Sequence, residues 1–257
     1  RSTMQTRENI PTSAGTVVRS FFKPSYLLFA LGVMAVVLLP LIFTTRYSVN
    51  LLILASTYGI ATLGLTVLLG YSGQISLAQA VFYGIGAYTI GLGTTHFGLN
   101  WWVALLVGMS LAALFGLVLG LTTMKVGGHY LAMVTICVQI IFTLVLMNWR
   151  GLTGGPDGIS GISRPSLFFV TMTSARSYAW FSLTVLLLTI IFVWILRDRR
   201  LGLAMRAVRE NEIAAESLGV NTLQVKVTTF TISAVLGALG GGLYASGFSY
   251  ISPDSFT

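Results

Sequence analysis

Charge is what this chain has least of. Only 9% of its 257 residues are charged, against 55% hydrophobic, whereas a soluble domain carries about a quarter charged residues. Cys137 is the only cysteine, which excludes an intrachain disulfide and argues against a thiolate metal cluster. His96 and His129 are the only imidazoles. No G-x-x-x-x-G-K-[ST] loop occurs, so a phosphate cradle of that type is absent. The G-x-S-x-G, H-E-x-x-H and G-x-G-x-x-G patterns are missing as well. A membrane metalloenzyme or proton-coupled carrier keeps ionisable groups inside its bundle. Here the apolar stretches contain none, which counts against both and less against a sodium-coupled carrier built on carbonyls and hydroxyls.

What is present is a series of apolar segments. Seven of them, at 26–43, 47–70, 76–95, 101–123, 130–149, 178–196 and 227–249, carry no Asp, Glu, Lys or Arg. Each approaches or reaches the roughly 20 residues that cross a bilayer. Tyr26, Tyr47, Trp101, Trp102, Trp149, Tyr178 and Trp180 cluster near their ends, as interfacial aromatics do. The fold class is an all-α integral membrane protein, a polytopic bundle of about seven helices. No short apolar core followed by a small-residue cleavage site appears near the start, so the first apolar segment reads as a retained helix, and the distribution of basic residues makes 1–25 a cytoplasmic tail.

The third segment is the weakest. Its approach, GYSGQISLAQ over 70–79, is polar and glycine-bearing, and reads as a broken or re-entrant stretch. Gln74, Ser76 and Gln79 are candidates to line a translocation pathway, with an ordinary cytoplasmic turn the equal reading. Gln139, with Thr135 and His129, sits in or near the fifth segment, where cross-helix bonding is the default role and a pathway role the alternative. The G-x-x-x-G spacings Gly116–Gly120 and Gly237–Gly241 read as close helix approach. The 150–177 stretch, with its GGPDG turn, reads as an outer loop, solvated or contacting an external partner.

Residues 197–226 hold ten of the 22 charged residues. Leu201, Met205 and Val208 recur at helical spacing, predicting an amphipathic helix over 202–210. Asn211 is the expected N-cap of a second short helix over 212–218, stopped by Gly219. Asn221 and Gln224 look like a capping box for a third. So short a helix is marginal in water unless something holds it, so the loop is read as a docking surface. If it is cytoplasmic, alternation across seven spans leaves only four of the 15 Lys and Arg outside: Arg46, Arg150, Arg164 and Arg176. This asymmetry supports a cytoplasmic loop and N-terminus. It also accounts for the net charge of +8 without nucleic acid, since the basic residues form no stripe.

Three stretches resemble the permease subunits of bacterial ABC importers for branched-chain amino acids, of the M type. They are GYSGQISLAQAVFYGIGAYT at 70–89, LTGGPDG at 152–158, and 202–256 from GLAMRAVRENEIAAESLGVN to SGFSYISPDSF. Within the last, AAESLG at 214–219 is similar to the A-A-x-x-x-G core of the ABC coupling motif, although Glu212 stands two positions before Ala214 rather than one. The resemblance implies an ATPase-coupling helix, with Arg206, Arg209, Glu212 and Glu216 as polar contacts, Ala214 and Ala215 packing, and Gly219 as the stop. It implies a heteromer with a second homologous permease, two ATPase subunits and a periplasmic or extracellular binding protein in the bacterial cytoplasmic membrane. ATP and magnesium are then expected on the ATPase, with no cofactor, metal or catalytic residue on this chain. Family members continue past the region matching 253–256 into further helices, so the sequence reads as truncated at its C-terminus. A stand-alone ion-coupled transporter or channel is the competing class.

Overall fold

The computed structural model describes residues 32–34, 36, 38–43, 45–122, 129–167, 170, 171 and 174–256. The predicted tail 1–25 and the start of the first span lie outside them, as does Lys125. The elements are α1 (Gly32–Ile42), α2 (Arg46–Leu65), α3 (Gln79–Thr95), α4 (Trp101–Thr122), α5 (His129–Asn148), α6 (Arg150–Thr153), α7 (Ala175–Asp198), α8 (Arg200–Glu210), α9 (Glu212–Ser217) and α10 (Thr222–Phe248). Among the described residues are four two-residue strands: β1 (Ile159–Ser160), β2 (Ser166–Leu167) and β3 (Val170–Thr171) before α7, and β4 (Tyr250–Ile251) after α10.

Small residues decide how the helices meet. α10 is the hub, packed by α2, α3 and α4. Gly241 lies against the Tyr83 carbonyl, and Gly86 of α3 lies against the carbonyl of Ala238, so a side chain at either would strike backbone. Gly116 and Gly120 of α4 face Ala234, Phe230 and Val227 of α10, as their spacing predicts. In lipid, where apolar side chains gain little by leaving their surroundings, such close approach is a main source of helix association. Polar ties add to it. Trp101 Nε1 donates to Ser246 Oγ at 2.6 Å, and the Tyr178 hydroxyl donates to the Leu243 carbonyl.

Among the described residues, five helices are long and apolar enough to cross a membrane: Arg46–Tyr71, Trp101–Thr122, Tyr130–Asn148, Ala175–Asp198 and Thr222–Phe248. α2 reaches its full length through a π-helical turn, Thr66–Tyr71. α3 opens at Gln79 rather than at the predicted 76, because Ser76 Oγ accepts from Ala78 N at 3.3 Å and holds the backbone in a turn. α10 opens at Thr222, five residues before the charge-free segment at 227, with Asn221 as the expected cap: its side chain accepts from Gln224 N at 3.0 Å. The 150–177 stretch is more than a solvated loop. Ile159 and Ile162 are buried in the main core, and Ile159 pairs with Ile251 across β1 and β4.

Candidate functional site

Two places bring the sequence candidates together. One is the 197–226 loop. α8 starts two residues earlier than the periodicity predicts, at Arg200, and buries Met205 and Val208 beneath the ends of α2, α7 and α10. Its arginines turn toward carbonyls at helix ends. Arg209 donates to Gly70 O at the close of α2, and Arg206 donates to Arg197 O at 3.3 Å near the close of α7. A cation at a helix C-terminus answers unpaired carbonyls and the macrodipole together.

α9 follows with both ends closed. Asn211 Oδ1 accepts from Ala214 N at 3.0 Å. At the other end Gly219 N donates to Glu216 O at 2.9 Å and Val220 N to Ala215 O at 3.0 Å, a Schellman stop. Gly219 adopts φ +83°, the left-handed conformation that glycine accepts at least cost. Two side-chain contacts fasten α9 to α10: Glu212 pairs with Lys226, and Thr222 donates to Glu216 Oε1 at 2.7 Å. Ala215 is buried against α8 and its neighbours.

This redistributes the expected roles. Arg206, Arg209, Glu212 and Glu216 are each engaged within the chain, and Ala215 packs inward, so only Ala214 of the two alanines faces out. Beside the exposed Glu212, Glu216 and Ser217, α9 and its C-cap also present apolar side chains outward. Leu218 is 84% and Ile213 78% exposed, the two most exposed large apolar side chains among the described residues. They stand among charges, so lipid does not account for them, and exposed apolar groups in such a setting mark a contact surface. The sequence reading missed both. Its available signal was that EIAAESL carries apolar residues on more sides than one buried face needs.

The second place is the 70–80 region. Residues 73–77 leave the helical state beside α8, with Gly73 against the Arg209 side chain. Gln74 and Ser76 are buried but turn to local partners, Gln74 donating to Ser72 Oγ at 2.8 Å. Leu77 N is met across helices by Thr135 Oγ1 at 3.0 Å. Gln79 reaches further into the bundle. It donates to Ala61 O at 2.9 Å, accepts from Ser233 Oγ at 2.9 Å, and lines a cavity of about 230 Å³ with Tyr58, Thr62, Tyr83 and Phe256. Tyr58 and Tyr83 stack with centroids 5.5 Å apart. Gln139 approaches the same Phe256 from α5, donating to its carbonyl. Among the described residues, Gln74 Oε1, the Tyr83 and Tyr88 hydroxyls and Gln139 Oε1 are buried without a hydrogen-bond partner. The arrangement is a small, uncharged cavity with aromatic walls. Among the described residues no cluster of His, Cys, Asp or Glu could hold a metal.

Comparison with known proteins bears on both places. The family model described as branched-chain amino acid transport system / permease component matches residues 47–257. The high-affinity branched-chain amino acid transport system permease protein LivM of Escherichia coli is 36% identical, covering 83% of this chain and 56% of LivM. LivH of the same organism is 27% identical over 78% of this chain and 70% of LivH. The autoinducer 2 import system permease protein LsrC of Yersinia pseudotuberculosis is 27% identical over 69% of this chain and 49% of LsrC. This chain thus spans little more than half the length of LivM. No solved structure matches it. With a family match running from the start of α2 to the end of the sequence, this chain is a multi-pass membrane protein that belongs to the branched-chain amino acid transport permease family.

Proposed function

We propose that this chain is a membrane-spanning permease subunit of an ATP-driven ABC importer moving branched-chain or related amino acids across the bacterial cytoplasmic membrane. The observation that carries the reading is α9. It is a six-residue helix capped at both ends, fastened to α10, and presenting Ile213 and Leu218 to solvent. A bundle that worked alone would have no use for such a surface. In this reading a cytoplasmic ATPase receives Ile213, Ala214 and Leu218, while ATP and magnesium act on that partner. A second, homologous permease and a substrate-binding protein complete the assembly.

Orientation follows from the basic loop. The α8–α9 end faces the cytoplasm with the N-terminal tail. α1 and α3 then complete seven crossings, with the break at 73–77 lying near the cytoplasmic end. Arg209, bonded to Gly70 and packed on Gly73, supports a route by which movement of α8 reaches α2 and α3. The cavity at Gln79 and Tyr83 is this chain's part of the pathway, a role that Gln74 and Ser76, turned to local partners, support less well. The relatives' names favour Leu, Ile and Val as cargo, and the one named for autoinducer 2 import marks how far cargo varies at similar identity.

The test is uptake of labelled leucine into proteoliposomes holding the full-length permease with its partner subunits and binding protein. Uptake that requires ATP supports the proposal. Uptake by the permease alone under a sodium gradient, without ATP, would replace it with an ion-coupled carrier.

A further inference from the structure

At the end of the bundle opposite α8 and α9 lies a cavity of about 590 Å³, between the starts of α2 and α7 and the close of α10. Arg46, Arg164 and Arg176 line it together with Asn50 and Ser174. These are three of the four arginines that the sequence assigns to this side, the fourth being Arg150. The positive-inside tendency works against basic residues here, so their meeting in one cavity calls for another cause. Among the described residues no carboxylate lines it.

Further features favour an anion. α2 and α7, of 20 and 24 residues, both begin at the cavity, so two positive dipole ends add to the arginines; α2 has no side-chain cap, whereas Ser174 caps α7 by accepting from Arg176 N at 3.3 Å. Arg164 is held in place, its Nη2 directed at the Gly247 carbonyl at 3.4 Å and its guanidinium 5.8 Å from the centre of the Tyr178 ring. The surroundings indicate depth. Tyr47, next to Arg46, is 74% exposed, and Ile42 and Phe43 just before it are exposed too. Aromatic and apolar side chains on display beside arginine are the composition of a membrane–water interface.

From this we infer that the cavity binds the phosphate of an anionic phospholipid, with its acyl chains lying along the exposed apolar surface beginning at Tyr47 and Leu51. Guanidinium groups take the two non-bridging oxygens of a phosphodiester through paired, charge-assisted N–H bonds, and Asn50 and Ser174 supply neutral partners. Basic pockets between membrane helices on the cytoplasmic side recognise lipid headgroups by the same chemistry, here found at the opposite end of the bundle.

Native mass spectrometry of the delipidated full-length protein, titrated with equal phosphatidylglycerol and phosphatidylcholine, tests it. Wild type should retain the anionic lipid preferentially. Arg46→Gln combined with Arg176→Gln should weaken that preference roughly thirtyfold, as expected for two interfacial charges removed. Arg150→Gln, outside the cavity, should leave it unchanged, and an unaltered gel-filtration profile shows that the double variant still folds. Equal retention of both lipids by wild type, or a preference that survives in the double variant, overturns the inference. Stabilisation by inorganic phosphate without any lipid preference, lost in the double variant, overturns it in favour of a soluble anion. An absent lipid preference with weakened capture of the substrate-binding protein overturns it in favour of a protein contact.

Discussion

The helices around α10 and the loop that carries α8 and α9 are held by opposite means. Around α10 the ties are backbone against backbone, at Gly241 on Tyr83 and Gly86 on Ala238, with no charged side chain anywhere in α3 or α4. In the loop they are caps, carbonyl-seeking arginines and an ion pair. Surroundings explain the contrast. Lipid offers helices little gain from apolar burial and makes each unpaired polar group expensive, so close packing of small residues prevails. Water supports charges, and there a short helix persists only if its ends are satisfied. The same comparison singles out Ile213 and Leu218, which neither mode of stabilisation explains.

Substitutions that exchange the two modes should differ in size. The largest effect belongs to the bundle. Gly241→Leu drives a side chain into the Tyr83 carbonyl. It should cost about 3 kcal/mol, at the upper end for overpacking, read as early loss of the monodisperse peak in a thermal gel-filtration series. A Gly241→Leu protein as stable as wild type would break the account of α10 as the hub.

Gly219→Val should cost less, because nothing lies within 4 Å of the position a Cβ would take. The penalty is conformational alone, about 1–2 kcal/mol for a left-handed residue. Hydrogen exchange should therefore quicken at the Gly219 and Val220 amides and stay unchanged in α10.

Smallest is Glu212→Gln. Its partner Lys226 has a side chain 16% exposed, but Glu212 is 45% exposed. Such a pair is worth roughly 0–1 kcal/mol, less at high salt, measurable by a double-mutant cycle with Lys226→Gln. A coupling that grows with salt would show that this contact is not electrostatic.

Much of this was legible beforehand, and unevenly. The absence of charge in the helices marked them at once, and G-x-x-x-G at 116–120 and 237–241 marked the faces that meet. Asn211, Gly219 and Asn221 announced their caps because capping is local chemistry. Less legible was anything depending on tertiary placement. That Arg206 and Arg209 turn inward to carbonyls of α7 and α2 depends on where those helices end, which periodicity does not fix. Leu218 stands three residues after the buried Ala215, and spacing alone puts it on the inner face. As the C-cap it leaves the helical path and points out. Gln74, Ser76 and Gln79 looked equivalent in sequence, yet the turn at Ser76 leaves only Gln79 facing a cavity. The meeting of Arg46, Arg164 and Arg176 joins residues more than 100 positions apart, and no local pattern foreshadows it.

The claim that matters most is that α9 docks an ATPase through its exposed apolar residues rather than its charges. It is tested most directly by co-purifying the ATPase subunits with full-length permease carrying Ile213→Asp and Leu218→Asp, beside Glu212→Gln with Glu216→Gln. The apolar pair should lose the ATPase, by about tenfold or more for two buried contacts of at least 1 kcal/mol each. The acidic pair should retain most of it, with both permeases folded. Full retention in the Ile213→Asp, Leu218→Asp protein would contradict the claim.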